Sequence, residues 1–311
     1  MCKPLNVFAD NKVMQNGFVV TDDLRTNEII NEGAEDKFFI KLNGQRYLVK
    51  DSSFNKRRKQ ASLAPYCEYV GSNFIKRSEL LDCQQCYLGF YQDRIVVICE
   101  DAFQNGVFRP FRDLHESSAG TSLANKEYTY DDVLYVLKQK EELSNVDHGE
   151  FFHKFWLMFL FDAILGNRDR HEGNWGFVKK SACTAFAPII DNGSSLFPDV
   201  DLTNWHNYDF IKTRVLKMPA SQFRMWKAEY TDRAMRTNFY EMLRDFSSSF
   251  FKELEEIRSI NYKNLLTFDH SLIPGYAWEW FTTIIECRFR CLILNESYDN
   301  VFSEMERKWN D

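Results

Sequence analysis

The feature that most constrains the fold is a polar loop between a strongly apolar segment and two short β-like runs. The segment Glu150 to Leu165 is rich in Phe and Trp, which predicts a buried central helix. Directly after it, residues 166–174 read GNRDRHEGN. Residues 175–178 and 185–190 then favour an antiparallel ribbon that ends at Asp191. The predicted helix therefore delivers the polar loop to the base of the ribbon.

Two oxygen-bearing side chains at this ribbon are predicted to be neighbours. Asn174 precedes the ribbon and Asp191 follows it, and paired antiparallel strands lie about 5 Å apart. A carboxylate and an amide oxygen at that separation are hard ligands of the kind that Mg²⁺ prefers. The alternative is that Asp191, Asn192 and Gly193 form only a turn.

The polar loop has the spacing that phosphoryl transfer from ATP requires. In protein kinases an aspartate accepts the proton of the attacking hydroxyl, and an asparagine five residues later ligates a magnesium ion. Asp169 and Asn174 have this spacing. An Asp/Asn-rich turn is also common after a helix, so the spacing alone is weak evidence for a kinase. The ribbon and Asp191 that follow it strengthen the kinase interpretation.

The upstream sequence predicts a small β-rich unit that carries a lysine. Residues 37–42 and 45–50 are β-rich, and Asn43-Gly44 between them is a strong hairpin signal. If Lys50 faces inward, its ammonium needs an anion such as an ATP phosphate. Glu68, in an apolar segment eighteen positions on, is the carboxylate expected to pair with it. For Lys50 alone, an ordinary solvent-exposed lysine is the commoner alternative.

Two further segments are candidates for nucleotide contacts. Residues 31–37 contain one glycine that could expose backbone amides to a phosphate, and a plain turn is the alternative. Residues 94–99 predict a strand, after which the chain would cross between two lobes and backbone amides would meet an adenine edge. The candidate nucleotide-contacting residues are Gly33, Ala34, Lys37, Glu100 and Ala102.

The order of these motifs, with GNRDRHEGNWGF and IIDNG downstream, resembles the HipA-like serine/threonine kinases and among them the short bacterial branch of cell-translocating kinases. The resemblance implies an α+β, two-lobed, protein-kinase-like fold that is also related to phosphoinositide kinases. It implies ATP and Mg²⁺ as cofactors. The implied roles are a catalytic base (Asp169), a loop-structuring histidine (His171), magnesium ligands (Asn174 and Asp191), a phosphate contact (Lys50) and its orienting partner (Glu68).

The chain departs from the family pattern in two places. The family motif usually carries a lysine immediately before the asparagine, where this chain has Gly173, so any phosphate contact made by that lysine is missing or moved. Residues 31–37 contain no Ser or Thr. Self-inhibition by phosphorylation of a phosphate-loop serine is therefore not expected here.

Composition favours a water-soluble enzyme of the cytoplasm. A net charge of −6 and a pI near 5.6 argue against general nucleic-acid or anionic-membrane binding. We expect no signal peptide, because the N-terminus lacks a basic-then-apolar leader, and no membrane span. Cys83 and Cys86 have CxxC spacing without companion histidines, so we expect reduced thiols.

The simplest division is a β-rich N-lobe over residues 1–103 and a helical C-lobe over residues 104–311. A capping box at Thr129 and Asp132 predicts a helix through about Leu143. Further C-lobe helices are predicted near residues 221–245, 248–258, 276–294 and 298–309.

The sequence thus predicts an ATP- and Mg²⁺-dependent protein serine/threonine kinase that also phosphorylates itself. Its predicted partners are a protein substrate of unknown identity and an antitoxin-like protein. Two alternatives stay open. One is a kinase for lipids or small molecules, and the other is a catalytically silent module that binds a nucleotide or an antitoxin.

Overall fold

The described chain begins as a β-rich part and continues as a mainly helical part. The computed structural model describes residues 13–28, 37–51, 54–55, 60–103, 106–119, 128–180, 183–203, 205–218, 223–224 and 238–310. Its strands are β1 (Phe18–Val20), β2 (Lys37–Leu42), β3 (Gln45–Asp51), β4 (Phe54–Asn55), β5 (Gln60–Ala61), β6 (Cys86–Tyr91), β7 (Arg94–Glu100), β8 (Val107–Pro110), β9 (Tyr128–Thr129), β10 (Gly176–Lys180), β11 (Cys183–Phe186) and β12 (Phe223–Arg224). Its α-helices are α1 (Ala64–Arg77), α2 (Phe111–Ala119), α3 (Tyr130–Gln139), α4 (His148–Leu165), α5 (Tyr208–Leu216), α6 (Phe239–Phe246), α7 (Phe251–Arg258), α8 (Gly275–Arg288) and α9 (Tyr298–Asn310).

The β-rich part is a five-stranded sheet in the order β1-β6-β7-β3-β2. The predicted hairpin of β2 and β3 is confirmed, and Asn43 and Gly44 both have positive φ, as a tight two-residue hairpin turn requires. Leu48 packs with the core that includes α1, whereas Val49 belongs to the core on the other face. Because successive side chains of a strand alternate between faces, Lys50 lies on the α1 side of the sheet.

Helix α4 is the buried centre of the helical part, as predicted. The Asp147 side chain caps it by accepting from the Glu150 amide at 3.0 Å, and Gly166 ends it at φ 66°. A side chain at residue 166 would also meet the Phe197 ring, 3.0 Å from the position of a Cβ atom. This close approach brings the polar loop after α4 against the segment that follows Asp191.

The predicted ribbon is confirmed in β10, but its second strand is displaced. The sequence predicted residues 185–190, whereas β11 spans Cys183–Phe186. Pro188 has no amide hydrogen with which to continue the ladder, and Ile189 instead pairs with the segment after α1, donating to the Asp82 carbonyl at 2.8 Å. The ribbon strand β11 therefore ends five positions before Asp191, and the chain crosses toward the β-rich part.

The C-terminal helices agree only in part with the sequence. Helix α3 has the predicted capping box but ends at Gln139, with a short 3₁₀ turn to Leu143. The predicted helix over 221–245 is wrong in its first part, because Phe223 and Arg224 form β12 against β9 and α6 begins at Phe239. Helices α7, α8 and α9 lie where predicted, and α5 was not predicted. None of the described helices has the length and apolar character that a bilayer crossing needs.

Candidate active site

Three of the predicted site residues form one ion-paired cluster between the sheet, α1 and the segment after β11. Lys50 Nζ lies 2.9 Å from Glu68 Oε2 and 2.8 Å from Asp191 Oδ1. Burial alone lowers the pKa of Lys50, but the two carboxylates outweigh it and raise that pKa well above its usual value. Lys50 in turn is the main reason that the pKa of Asp191 falls to about 2. Lys50 and Asp191 are therefore both charged at neutral pH.

The second carboxylate oxygen of Glu68 holds the segment that contains Asp191. Glu68 Oε1 accepts from the Asn192 amide at 2.9 Å, and Asn192 Nδ2 donates to Ser72 Oγ at 3.0 Å. A Cβ atom at Gly71 would lie 3.0 Å from the Asn192 Cβ, so only a glycine allows this approach at its present distance. Glu68, Gly71 and Ser72 of helix α1 thus hold Asn192, the residue that follows Asp191.

A buried guanidinium joins the polar loop to the same segment. Arg170 is 3% exposed and makes a bidentate pair with Asp162 of α4, at 3.1 Å for both bonds. Its Nη1 atom donates to the backbone carbonyls of Asn174 and Ile190, and its Nη2 atom donates to Asn192 Oδ1. Burial lowers the pKa of Arg170, but Asp162 outweighs it and the net shift is upward. One cation therefore binds α4, the loop and the Asp191 segment together.

Asp169 projects from a loop whose backbone is fixed. Its amide donates to Asn167 Oδ1 at 3.1 Å, and its carbonyl accepts from Asn174 Nδ2 at 3.1 Å and from the His171 amide at 2.8 Å. The residue is nevertheless exposed. A carboxylate of this kind is open to a substrate while its main chain stays in place.

His171 acts inside the loop and orients an arginine from α2. Its Nδ1 atom lies 3.0 Å from the Gly173 amide and 3.3 Å from Arg112 Nη2, both of which are donors. Burial lowers the pKa of His171, and Arg112 acts in the same direction. His171 is therefore neutral with its proton on Nε2. Its predicted role in structuring the loop has a geometric basis, whereas a direct catalytic role stays a prediction.

Arg112 occupies the space that a side chain at residue 173 would take. Its Nη2 atom lies 2.8 Å from the position of a Cβ atom on Gly173. The Arg112 amide donates to the Glu172 carbonyl at 3.1 Å, which fixes the start of α2 against the loop. Within the described residues the Arg112 guanidinium has no carboxylate partner, and its polar contact is the His171 ring.

A buried histidine clamps the loop to α2 and α3. His115 Nδ1 lies 3.0 Å from Glu172 Oε2, and His115 Nε2 lies 3.6 Å from Asp132 Oδ1. Burial lowers the pKa of His115, but these two carboxylates outweigh it and raise the pKa to about 9. His115 is therefore a cation at neutral pH and forms ion pairs with both.

This clamp predicts a pH-dependent stability. Because the pKa of His115 is raised in the folded state, its contribution is complete below pH 6.5 and is lost as the pH rises through about 9. We expect His115→Gln to lower the free energy of unfolding by about 1–3 kcal/mol at pH 6 and by much less at pH 9.5. Urea unfolding of both proteins across this range measures the difference. A gap that stays constant with pH would contradict the clamp.

The remaining predicted residues have different surroundings. Gly33 and Ala34 lie outside the described residues. Lys37 begins β2 opposite Lys50 and contributes to the low pKa of Asp191. The Glu100 amide donates to the Gln85 carbonyl at 2.9 Å and its carbonyl accepts from Gln84 Nε2 at 2.7 Å. Both backbone groups of Glu100 are thus engaged, whereas the Ala102 amide has no partner in the described part of the chain.

Sequence reasoning missed three residues that organise the site. They are Arg112, Arg170 and Asn192. A signal existed for Arg170, because Asp162 interrupts an otherwise apolar helix and a buried carboxylate needs a buried cation. No local pattern points to Arg112 or Asn192, since their partners lie 59 and 124 positions away.

No protein-family model matches the chain. Over 217 residues the chain is 30% identical to the serine/threonine-protein kinase CtkA of Helicobacter pylori, and the match covers 67% of this chain and 63% of that protein. The chain thus spans less than two thirds of that relative's length.

Two solved structures share the fold. The crystal structure of the Helicobacter pylori proinflammatory kinase CtkA superposes with a TM-score of 0.74 at 23% identity, over 93% of this chain and 99% of that one. HipA from the HipA, HipB and operator DNA complex of Shewanella oneidensis MR-1 has a TM-score of 0.50 at 12% identity, over 91% of this chain and 68% of that one. These matches confirm the predicted α+β, protein-kinase-like fold.

Proposed function

Because the chain is a homologue of the serine/threonine kinase CtkA and shares the fold of CtkA and HipA, we propose that it is a protein serine/threonine kinase. It transfers the γ-phosphoryl group of ATP to a protein hydroxyl in the presence of Mg²⁺ and also phosphorylates itself. The observation that carries the proposal is the joining of two charged units: Arg170 ties the loop of Asp169 to the segment whose Asp191 is paired with Lys50.

The donor set near Asp191 fits magnesium. The Asp191 carboxylate is ionised, and the Asn174 amide nitrogen is engaged with the Asp169 carbonyl, which leaves the amide oxygen as the free ligand atom of that side chain. Carboxylate and amide oxygens are the hard ligands that this ion prefers. When bound, magnesium neutralises negative charge on the phosphates. Asn174 and Asp191 are therefore the proposed ligands.

Lys50 is the proposed phosphate contact, and Glu68 is its permanent partner. Lys50 has two carboxylate partners, but Glu68 is buried whereas the Asp191 side chain is 44% exposed. A phosphate that enters the cleft replaces the more exposed partner at lower cost, because the buried Glu68 cannot regain water. Lys37, which begins β2 opposite Lys50, and the Ala102 amide are further proposed nucleotide contacts. Gly33, Ala34 and Glu100 stay predictions.

Asp169 is the proposed base that accepts the proton of the acceptor hydroxyl. Arg112 supplies a fixed positive charge beside the loop, at the place where the HipA-like motif has a lysine and this chain has Gly173. A cation already held in position stabilises developing charge without a reorganisation cost. The loop therefore combines an exposed base with a positioned cation.

The first experiment tests Mg²⁺-dependent nucleotide binding. We expect a non-hydrolysable ATP analogue to raise the melting temperature only when Mg²⁺ is present, because Asp191 and the triphosphate repel each other without the ion. Asp191→Asn should lose most of the Mg²⁺-dependent part of the shift. Asp113→Asn, which changes an exposed aspartate on α2, is the matched control and should behave as wild type. An equal shift in all three proteins would refute the metal assignment.

The second experiment separates the protein kinase from the two alternatives. The protein is incubated with labelled ATP and with separate pools of proteins, inositol lipids and metabolites. Label in the protein pool and on the chain itself is the expected result. Label only in the lipid or metabolite pool would favour the alternative kinase. Stabilisation by magnesium nucleotide without any transfer would favour the silent module, for which an antitoxin-like partner stays a prediction.

A further inference from the structure

A cavity of about 240 Å³ opens beside the polar loop, and its described lining does not include Lys50, Glu68 or Asp191. Arg168 of the loop lines one side of it, Phe197 and Val200 of the segment after Asp191 form an apolar wall, and Arg214 comes from α5. Asp199 and two further α5-side residues, Thr213 and Met218, complete the described lining. We call this space the acceptor cavity. Arg168 immediately precedes the proposed base, Asp169, in the chain.

The apolar wall of the acceptor cavity is held in a strained conformation. Leu196 and Phe197 have φ values of 55° and 61°, so two consecutive residues with side chains lie in the left-handed region. The Leu196 amide donates to the Leu165 carbonyl at 2.8 Å, and its carbonyl accepts from Trp280 Nε1 at 2.9 Å. Strain of this kind persists where the surroundings impose it, and it is concentrated at ligand-contacting sites. Hydrogen bonds on both sides of Leu196 thus hold the backbone that precedes Phe197 in place.

The two arginines of the acceptor cavity are in different states. The Arg214 guanidinium is held in place, because it stacks on the Phe210 ring at 3.5 Å and donates to the Phe210 carbonyl at 2.9 Å. Arg168 is exposed and has no hydrogen-bond or ion-pair partner among the described residues. Among the described lining residues, Asp199 is the one carboxylate beside Arg168 and Arg214.

We propose that the acceptor cavity binds an acidic side chain of the protein substrate, close in sequence to the hydroxyl that is phosphorylated. This inference rests on the proposed kinase function. An arginine fork binds a carboxylate through two parallel hydrogen bonds, so Arg168 is the specificity-determining residue. Neighbouring Cα atoms are about 3.8 Å apart and an extended peptide advances about 3.3 Å per residue. Because Arg168 immediately precedes Asp169, we place the acid within about three residues of the acceptor hydroxyl.

The shape and charge of the acceptor cavity favour a peptide side chain over a lipid headgroup. Its volume of about 240 Å³ suits a single side chain, and its apolar wall suits the methylene groups that precede a carboxylate. Arg168 offers one guanidinium without a partner among the described residues, which matches a single carboxylate better than a headgroup that carries several phosphates. A phosphorylated serine has the same chemistry as a carboxylate at this position, so the test includes both.

The test uses peptides with one serine acceptor and one variable residue moved through the three positions on either side. At each position this residue is Glu, Gln, Lys or phosphoserine. The phosphoserine is already modified and cannot act as a second acceptor. For the wild type we expect kcat/KM to be about tenfold higher with Glu than with Gln at one or two positions, and lower still with Lys. Arg168→Glu should reverse the order so that the Lys peptide becomes the best substrate.

Arg112→Gln is the matched control, because Arg112 is a second arginine at the loop that does not line the acceptor cavity. It should lower kcat/KM for all peptides alike and leave the Glu preference unchanged. The magnesium nucleotide shift of Arg168→Glu should equal that of the wild type, which verifies its folding.

The outcomes separate the two proposals. If the wild type labels peptides with equal kcat/KM whatever the variable residue, the cavity proposal fails and the kinase function stands. An acid preference that survives Arg168→Glu, or disappears equally in Arg112→Gln, also overturns it. A higher kcat/KM with phosphoserine than with Glu would assign the cavity to phosphorylated substrates. If no peptide or protein is labelled and only inositol lipid is, the proposed function fails and the acceptor cavity fails with it.

Discussion

Replacing Asp169 by asparagine is expected to lower the rate of phosphoryl transfer by about 10²–10⁴-fold. The amide has nearly the same size as the carboxylate but cannot accept the proton of the acceptor hydroxyl. Binding of magnesium nucleotide should be nearly unchanged, because the Lys50 cluster does not depend on Asp169 for its ion pairs. The initial rate of label transfer from ATP and the melting temperature with nucleotide measure the two quantities.

The fold should tolerate the Asp169→Asn change. The hydrogen bonds that fix residue 169 come from its own amide and carbonyl, and Asn167, His171 and Asn174 are unchanged. Asp113→Asn is again the matched control, and it should keep the wild-type rate. A rate for Asp169→Asn within about twofold of the wild type would remove the base from the proposed mechanism. A loss of nucleotide binding together with activity would indicate a structural role instead.

Replacing Arg170 by methionine is expected to lower the free energy of unfolding by about 3–5 kcal/mol. The change leaves the Asp162 carboxylate buried without its cation, and it removes the donor to the Asn174 and Ile190 carbonyls. Urea unfolding measures the loss. Arg244→Met is the matched control, because the Arg244 side chain is 59% exposed and pairs only at the surface, where such pairs contribute about 0–1 kcal/mol.

A double variant separates the contribution of Arg170 to stability from its contribution to phosphoryl transfer. Asp162→Asn removes the buried charge, so Arg170→Met combined with Asp162→Asn should be more stable than Arg170→Met alone. Transfer should remain impaired in the double variant, because the guanidinium that contacts both the Asn174 and the Ile190 carbonyls is then missing. Recovery of full activity in the double variant would contradict this role. A loss below 1 kcal/mol in the single variant would contradict the buried pair itself.

Much of the fold followed from local signals in the sequence. Asn43 and Gly44 predicted the hairpin that ends in Lys50, because few other residues adopt positive φ at two consecutive positions. The apolar run before Gly166 predicted α4, because a helix that is apolar on all sides must be buried. The five-residue spacing of Asp169 and Asn174 likewise predicted a kinase-like loop from the sequence alone. Each signal depends on residues within a few positions of one another.

Other predictions were wrong where contacts with distant segments determine the bounds of a strand or helix. The strand after β10 ended early, since Ile189 pairs with the segment after α1 rather than with the ribbon. The helix predicted from residue 221 begins instead at Phe239, after the short strand β12 has paired with β9. In both cases a tertiary pairing overrode the local preference of the chain.

The sequence by itself determined the parts of this protein: the lysine at a strand end, the glutamate on a helix, and the aspartate and asparagine in one loop. Only the tertiary structure decided that Lys50 meets Asp191 across 141 positions and that Arg112 fills the space at Gly173. The physical reason is that turns, caps and periodicity depend on neighbouring residues, whereas ion pairs between distant segments form only after packing has brought both partners out of water.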